Sequence, residues 1–594
     1  MQRISARWIC LLALTVAGGQ LSARAAATQM VAIQAAGFQL GQAMTQDASN
    51  QWQFVLAPTG VAPFNQAAVK QAAAPARLGP DPQQPYFTVR FALPVPPENV
   101  TNLSGRLAGL DPQVYTHNHS PGFEVLPNGD CLAIYFSTPP GKAEADPETS
   151  FIQARLRYGA EDWDLPELFF KTANYNDQSG LLWNDAGTVR FYGGGRDLSD
   201  AVPFKMADSV DNGATWTFSI PLLKQLPESY TAQPITSAFR GGDGAIYFAM
   251  DGEKATSFLW RSPDNGRHWE EQPGRTGGRH SVIVPLDDRG TLFSIGGKNA
   301  AVNGYSPQNI STNYGVSWSE SVASPFPPLG SAQRPSMIKL ADGNLLYVGD
   351  AYYHKAERPP PAGWEHGYGA FVALSTNQGA SWLVKSLPVQ LPHHDRGTNG
   401  TLGYVTARQG ANGVIHVLST ETQPCLHFEL NEAWILSPAG DVAPETTGGQ
   451  VKKFSETYAN GQVRSEWQAR ICPRGRYLLD GQETDYYPSG ARQHQVTYVN
   501  GRKTGRETYW SAEGKVIWRW EHDLKHNRAV WTQYWPNGRK QAESHWNTRP
   551  EARDLKRNFF GLVADGPARL WNADGSVQFS GNFANGMLLD GGKR

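Results

Sequence analysis

Four segments of the chain share one spelling, Ser-x-Asp/Asn-x-Gly-x-x-Trp: Ser209 to Trp216, Ser262 to Trp269, Ser311 to Trp318 and Ser375 to Trp382. Each part of that spelling has a local cause. A short polar side chain bonds the backbone of its own turn, glycine takes a positive φ at no steric cost, and tryptophan returns as an apolar plug. Four copies at intervals of roughly 50 residues require a repeated supersecondary unit. Period-2 strands surround the boxes, as in Thr188 to Tyr192 and Leu345 to Val348, and Asp/Asn-x-Gly turns precede them at Gly187, Gly244, Gly290, Gly343 and Gly413. A further copy, Pro127 to Phe136, has a partner without a box at Tyr158 to Trp163. Counted together these predict six four-stranded units, the last ending near Trp434. Arranged radially, such units hide their strand edges. The expected fold is all-β, a six-bladed β-propeller over residues 111–440.

The boxes and the unit length resemble the Asp-box (BNR-repeat) propellers of the sialidase superfamily, over roughly residues 115 to 436. In that family the boxes are structural turns remote from the active site. From 451 onward a second repeat begins, an aromatic or apolar pair followed by a turn ending in glycine. Its copies are Tyr486-Tyr487 with Gly490, Tyr509-Trp510 with Gly514, Tyr534-Trp535 with Gly538 and Leu570-Trp571 with Gly575. These resemble MORN-type hairpin repeats in their bacterial variant form, which implies a stack of β-hairpins over 451–594 burying an aromatic row.

The formal charge of −1 over 594 residues conceals two opposite parts. Residues 451–594 carry +8 and the preceding 450 carry −9. An aromatic content of 11% argues against disorder, and 18% charged residues with 61 Gly and 41 Pro argue against a coiled coil. The start reads as an export signal over 1–25, with Arg3 and Arg7, an apolar run from Ile9 to Gly18, and Ala23-Arg24-Ala25 as a cleavage site. The run is too short to span a bilayer, so a periplasmic or secreted location is expected, with no transmembrane segment. Residues 26–110 read as a linker with a few extended segments. Cys131, Cys425 and Cys472 make no disulfide framework.

On the face opposite the boxes, the loops gather His117, His119, His280, His354, His366, His393 and His394, half of the 14 histidines. That clustering points to a polar ligand or catalytic site. No metal-ligand spacing backed by cysteine is present, so neither metal nor cofactor is expected. The family resemblance implies arginines for a sugar carboxylate, a Tyr–carboxylate nucleophile pair and an Asp acid/base. On this sequence it maps to Arg279 and Arg334, to Tyr352 or Tyr353 with Glu253, and to Asp146; the loop clustering adds His117, His119, His280, His393, His394 and Arg396 as residues lining the substrate. The family's first arginine motif is missing, and His117-Asn118-His119 stands in its place. The reading is an exported, sialidase-like propeller acting on glycans as a glycoside hydrolase. Two alternatives remain: a non-catalytic glycan- or protein-binding scaffold, and a polysaccharide lyase using His or Tyr. The basic C-terminal repeats suit an envelope or protein partner, and nothing points to nucleic acid.

Overall fold

The structure is a computed structural model. It describes residues 38–40, 54–55, 69–93, 115, 117–139, 141–172, 176–195, 203–219, 221–224, 233–330, 333–351, 363–389, 401–420, 425–442, 448–550 and 561–589.

Six sheets form the blades of a propeller. Their innermost strands are His117–Val125, Gln178–Asp185, Pro234–Arg240, Val282–Pro285, Ser336–Lys339 and Thr406–Gln409, one per blade in chain order. Each of the four boxes joins the third strand of a blade to the fourth, in blades two to five. The chemistry of the spelling is realised directly. Ser209 Oγ accepts from the Gly213 N–H at 2.8 Å, Asp211 Oδ1 accepts from the Thr215 N–H at 2.8 Å, and Trp216 Nε1 donates to the Gly213 carbonyl at 3.2 Å. Where Asn replaces Asp, its oxygen does the same, as Asn313 Oδ1 does for the Ser317 N–H at 3.0 Å. Gly213 has φ +76°, a conformation that a side chain would strain. The Trp216 and Trp269 plugs are fully buried.

The sixth blade closes differently from the sequence expectation. It has three consecutive strands, Thr406–Gln409, Ile415–Leu418 and Leu426–Leu430, and its fourth is Phe87–Phe91, paired antiparallel with Leu426–Leu430. That strand lies in the segment read as a linker. Ring closure is reinforced by Arg90 on this strand, whose guanidinium reaches Glu429 of blade six at 2.5 Å and Glu161 of blade one at 2.9 Å, all three side chains being nearly inaccessible. Arg476 of the C-terminal sheet pairs with Glu161 as well, so two guanidiniums balance the two carboxylates at the seam between the last and first blades.

The described strands from Gln450 to Asn547 and from Val563 to Leu588 form a single 12-stranded sheet, consistent with stacked hairpins. Its inner face, with Trp467, Trp518, Trp520, Trp531 and Trp546, shares one core with Ala133, Tyr135, Ala154 and Leu156 of blade one. Tyr158 stacks on Tyr477 at 5.0 Å, and the Glu161 N–H donates to the Gly501 carbonyl at 2.8 Å, so the blade-one turn without a box is the docking turn. Successive hairpin turns are tied by Tyr487 donating to the Trp510 carbonyl and Trp535 donating to the Trp571 carbonyl. Among the described residues no helix is long and apolar enough to cross a membrane.

Candidate functional site

Antiparallel strands alternate direction, so the boxes lie at the far ends of the innermost strands and the blade-joining loops at their leading ends. At the far end the channel widens into a cavity of about 570 Å³, crossed by Arg408, whose Nε lies 3.1 Å from Glu124. At the leading end, side chains from five blades meet around Tyr404. Arg334 (blade five) donates to Ser120 Oγ of blade one at 3.0 Å and lies 4.9 Å from the Tyr404 ring of blade six. His119 (blade one) packs on that ring at 4.0 Å. His280 Nε2 (blade four) is 2.9 Å from Tyr404 Oη, and Lys298 of the same blade donates to that oxygen while lying 4.3 Å from the ring centre. Behind His280 is Asp251 of blade three, fully buried. Its Oδ1 accepts from the His280 N–H at 2.7 Å and its Oδ2 lies 2.9 Å from His280 Nδ1 and 3.1 Å from Arg279 Nη2.

The loops hold these groups by the same device. Asp251 fixes the loop ending in His280, which adopts φ +60°. Asp350 fixes the loop ending in Tyr404, accepting from Thr401 Oγ1 and the Leu402 N–H at 2.8 Å each. A non-glycine residue at positive φ is strained, and such strain persists where surrounding contacts over-determine it.

The electrostatics follow from burial. Burial lowers the His280 pKa to about 4, with Lys298 and Arg334 assisting against Asp251, so the imidazole is neutral at pH 7. Burial also pushes His119 well below its usual value, with His117, Lys298 and Arg334 adding to the effect. Asp251 keeps its charge: burial opposes this, but its contacts with His280 and Arg279 outweigh it. Arg334 falls to about 10 through burial and remains charged at neutral pH. Its Nε and Nη2 are buried without a hydrogen-bond partner. Among the described residues, the cations Arg279, Lys298 and Arg334 thus gather with the Asp251 carboxylate at the channel mouth. Further out, His117 Nε2 lies 3.1 Å from Glu144 Oε1, and Gln178 donates to Glu144 Oε2 at 3.0 Å; His117 and Glu144 are about two-fifths exposed.

The structure thus brings together Arg279, Arg334, His119 and His280 of the sequence-derived set, with His117 on the rim. Glu253 is exposed. Asp146 sits in an outer turn, accepting from the Glu148 N–H at 2.9 Å and lying 3.3 Å from Lys142; that turn hydrogen bond, with Lys142, lowers its pKa. Tyr352, Tyr353, His393, His394 and Arg396 lie outside the described residues. Sequence reasoning assigned no role to Tyr404, Asp251, Lys298 or Glu144. A usable signal existed: His280, Arg334 and Tyr404 each stand two residues before the innermost strand of blades four, five and six.

Among the described residues, two buried clusters carry potential metal ligands. In the first, Cys131 Sγ and His427 Nε2 lie 3.5 and 3.0 Å from His416 Nδ1. Arg90 Nη1 faces His427 Nδ1 at 3.4 Å. A guanidinium there makes Nδ1 the acceptor and Nε2 the protonated nitrogen, which suits a hydrogen-bonded chain better than a metal. In the second, Glu483, Asp485 and His494 are compensated by Lys70, Arg157 and Glu507 contacts within the sheet interface.

Fold and site together define a six-bladed propeller carrying a buried, cation-rich titratable cluster across its channel mouth. No protein-family model and no curated protein matches the chain. Among solved structures it is similar to a Hadza microbial sialidase, at 15% identity and TM-score 0.40 over 53% of this chain and 66% of that one, just under two thirds of its length. It is similar also to Trypanosoma rangeli sialidase, at 11% identity and TM-score 0.40 over 86% and 92% of the two chains. A third is the intramolecular trans-sialidase from Ruminococcus gnavus, at 12% identity and TM-score 0.41 over 55% and 97%. Likenesses of this strength say nothing about substrate, and the chemistry has to be read from the side chains of this chain.

Proposed function

We propose that this chain is a glycan-active propeller that holds an acidic sugar over its channel mouth and cleaves the glycosidic bond with Tyr404 as nucleophile. The observation that carries this reading is Arg334: a charged guanidinium, 1% exposed, with two nitrogens lacking partners, lying on the face of a tyrosine. A buried guanidinium with two unmet donor nitrogens is costly, and a planar carboxylate is its natural complement. Lys298 and Arg279 add attraction for the same anion. In the first step the Tyr404 oxygen bonds the anomeric carbon as the glycosidic C–O bond breaks, and the leaving oxygen takes a proton from Glu144. In the second, water attacks that carbon, gives its proton to Glu144, and the tyrosyl–carbon bond breaks.

Export follows from the amino-terminal pattern, and a mature chain beginning at residue 26 is the corresponding expectation, read by amino-terminal sequencing of secreted material. The function itself is tested on a panel of acidic and neutral glycans with wild type and Arg334→Ala. Release of a reducing sugar from acidic members, lost in the variant, supports hydrolysis. An unsaturated product would make Tyr404 the base of a β-elimination instead. Binding with no turnover of any member would leave a scaffold.

A further inference from the structure

Tyr404 needs somewhere to put its proton, and the cluster contains one arrangement that supplies it. Asp251, His280 and Tyr404 come from blades three, four and six and lie one against the next. Asp251 Oδ2 is 2.9 Å from His280 Nδ1, and His280 Nε2 is 2.9 Å from Tyr404 Oη. The neighbours fix the tautomer. Beside a carboxylate Nδ1 carries the hydrogen, leaving Nε2 as an acceptor aimed at the phenol. Lys298 approaches the same phenolic oxygen, and an ammonium has only donors, so the phenol accepts from Lys298 and donates its own hydrogen to His280. Every member is nine-tenths buried or more, so no bulk water competes for that proton.

We infer that His280 is the proton acceptor for Tyr404, held and charged against by Asp251, so that the three form a carboxylate–imidazole–phenol relay. The Tyr404 O–H bond breaks, its electron pair stays on the phenolate oxygen, and an N–H bond forms at His280 Nε2. The resulting imidazolium faces the Asp251 carboxylate, and Lys298 faces the phenolate. The proton returns when the tyrosyl oxygen is released. The logic is that of a nucleophile, a base within hydrogen-bond reach and a third group orienting the base. His280 is held for this task at a backbone cost: its φ of +60° places the ring between the other two while its N–H bonds Asp251. The inference rests on the proposed role of Tyr404 as the reactive group, but not on the identity of any glycan.

The positive φ offers a clean test, because His280→Gly removes the imidazole and suits the backbone. The full-length protein is treated with an aryl sulfonyl fluoride, which a phenolate attacks at sulfur with loss of fluoride, and labelling at Tyr404 is mapped by mass spectrometry. Wild type is expected to label at Tyr404 at pH 7. His280→Gly should label about 10²-fold more slowly, and added free imidazole should restore much of the rate. His280→Asn, which also tolerates positive φ, serves as a second variant, with folding of both checked by thermal melting. A structural role would give a loss that imidazole does not reverse. Labelling of either folded variant at the wild-type rate, or no rescue, would overturn the relay. Labelling needs no sugar, so a protein inactive on every glycan but showing the rescue would lose the hydrolase reading and keep the relay.

Discussion

His280 Nε2 and Tyr404 Oη are 2.9 Å apart although 124 residues separate them in the chain. Two loops from non-adjacent blades, each pinned by its own buried aspartate, are needed to bring them there. The most exposed consequence is chemical. Tyr404→Phe removes one oxygen and nothing else, and turnover should fall about 10³-fold or more while binding of an acidic glycan persists. Progress curves and a direct binding titration on the same preparation check it.

Acid should weaken the fold through its buried neutral histidines. His280 and His416 titrate at about 4 in the folded chain, burial being the main cause in both. Their unfolded value is near 6.5, so the unfolded state binds the extra protons first, and stability is whole above about pH 6.5 and falls toward pH 4. Each histidine withdraws on the order of 3 kcal/mol by pH 4. Urea midpoints measured from pH 7 to pH 4 should fall steeply, and a flat profile would show that these rings are hydrated.

His494 should act in the opposite sense. Burial disfavours its charge, but Asp485 at 3.1 Å and Glu507 at 2.9 Å outweigh this and raise its pKa. Its contribution is therefore fully present below about pH 6.5 and lost as pH rises through the raised folded value. In His494→Gln the decline in melting temperature on the alkaline side should flatten relative to wild type.

Ring closure depends on Arg90. Arg90→Met leaves Glu429 and part of Glu161 without their buried partner, which should cost about 3–5 kcal/mol. Chemical denaturation measures it directly. A loss below about 1 kcal/mol would mean that the seam holds without its ion pairs.

The plugs should differ by burial. Trp269 is fully buried and Trp382 only half-buried, so Trp269→Ala should cost about 3–5 kcal/mol and Trp382→Ala distinctly less. Melting of the two variants side by side decides it.

What was legible in the sequence was what is local. The box from Ser209 to Trp216 closes within itself through bonds spanning four residues or fewer, so its turn could be written down from its spelling. The hairpin turns ending at Gly490, Gly514, Gly538 and Gly575 are local in the same way. The partner of Phe87–Phe91 lies over 300 residues further on; its alternation was visible but its register was not. The site failed for a related reason. Arg279, Arg334 and the histidines stand out as charges in loops, whereas Tyr404, in Leu-Gly-Tyr-Val, reads as the beginning of a strand. Asp251 closes a strand two residues before the more conspicuous Glu253, and only the tertiary fold shows that the aspartate faces inward to His280.

The central claim is that Tyr404 attacks the anomeric carbon of an acidic sugar. A slow, fluorinated acidic glycosyl donor should trap that step, and digestion with mass mapping locates the sugar. The account predicts a glycosyl group on the peptide containing Tyr404, absent from Tyr404→Phe. Turnover of the donor with no adduct there, and with Tyr404→Phe as active as wild type, would contradict it.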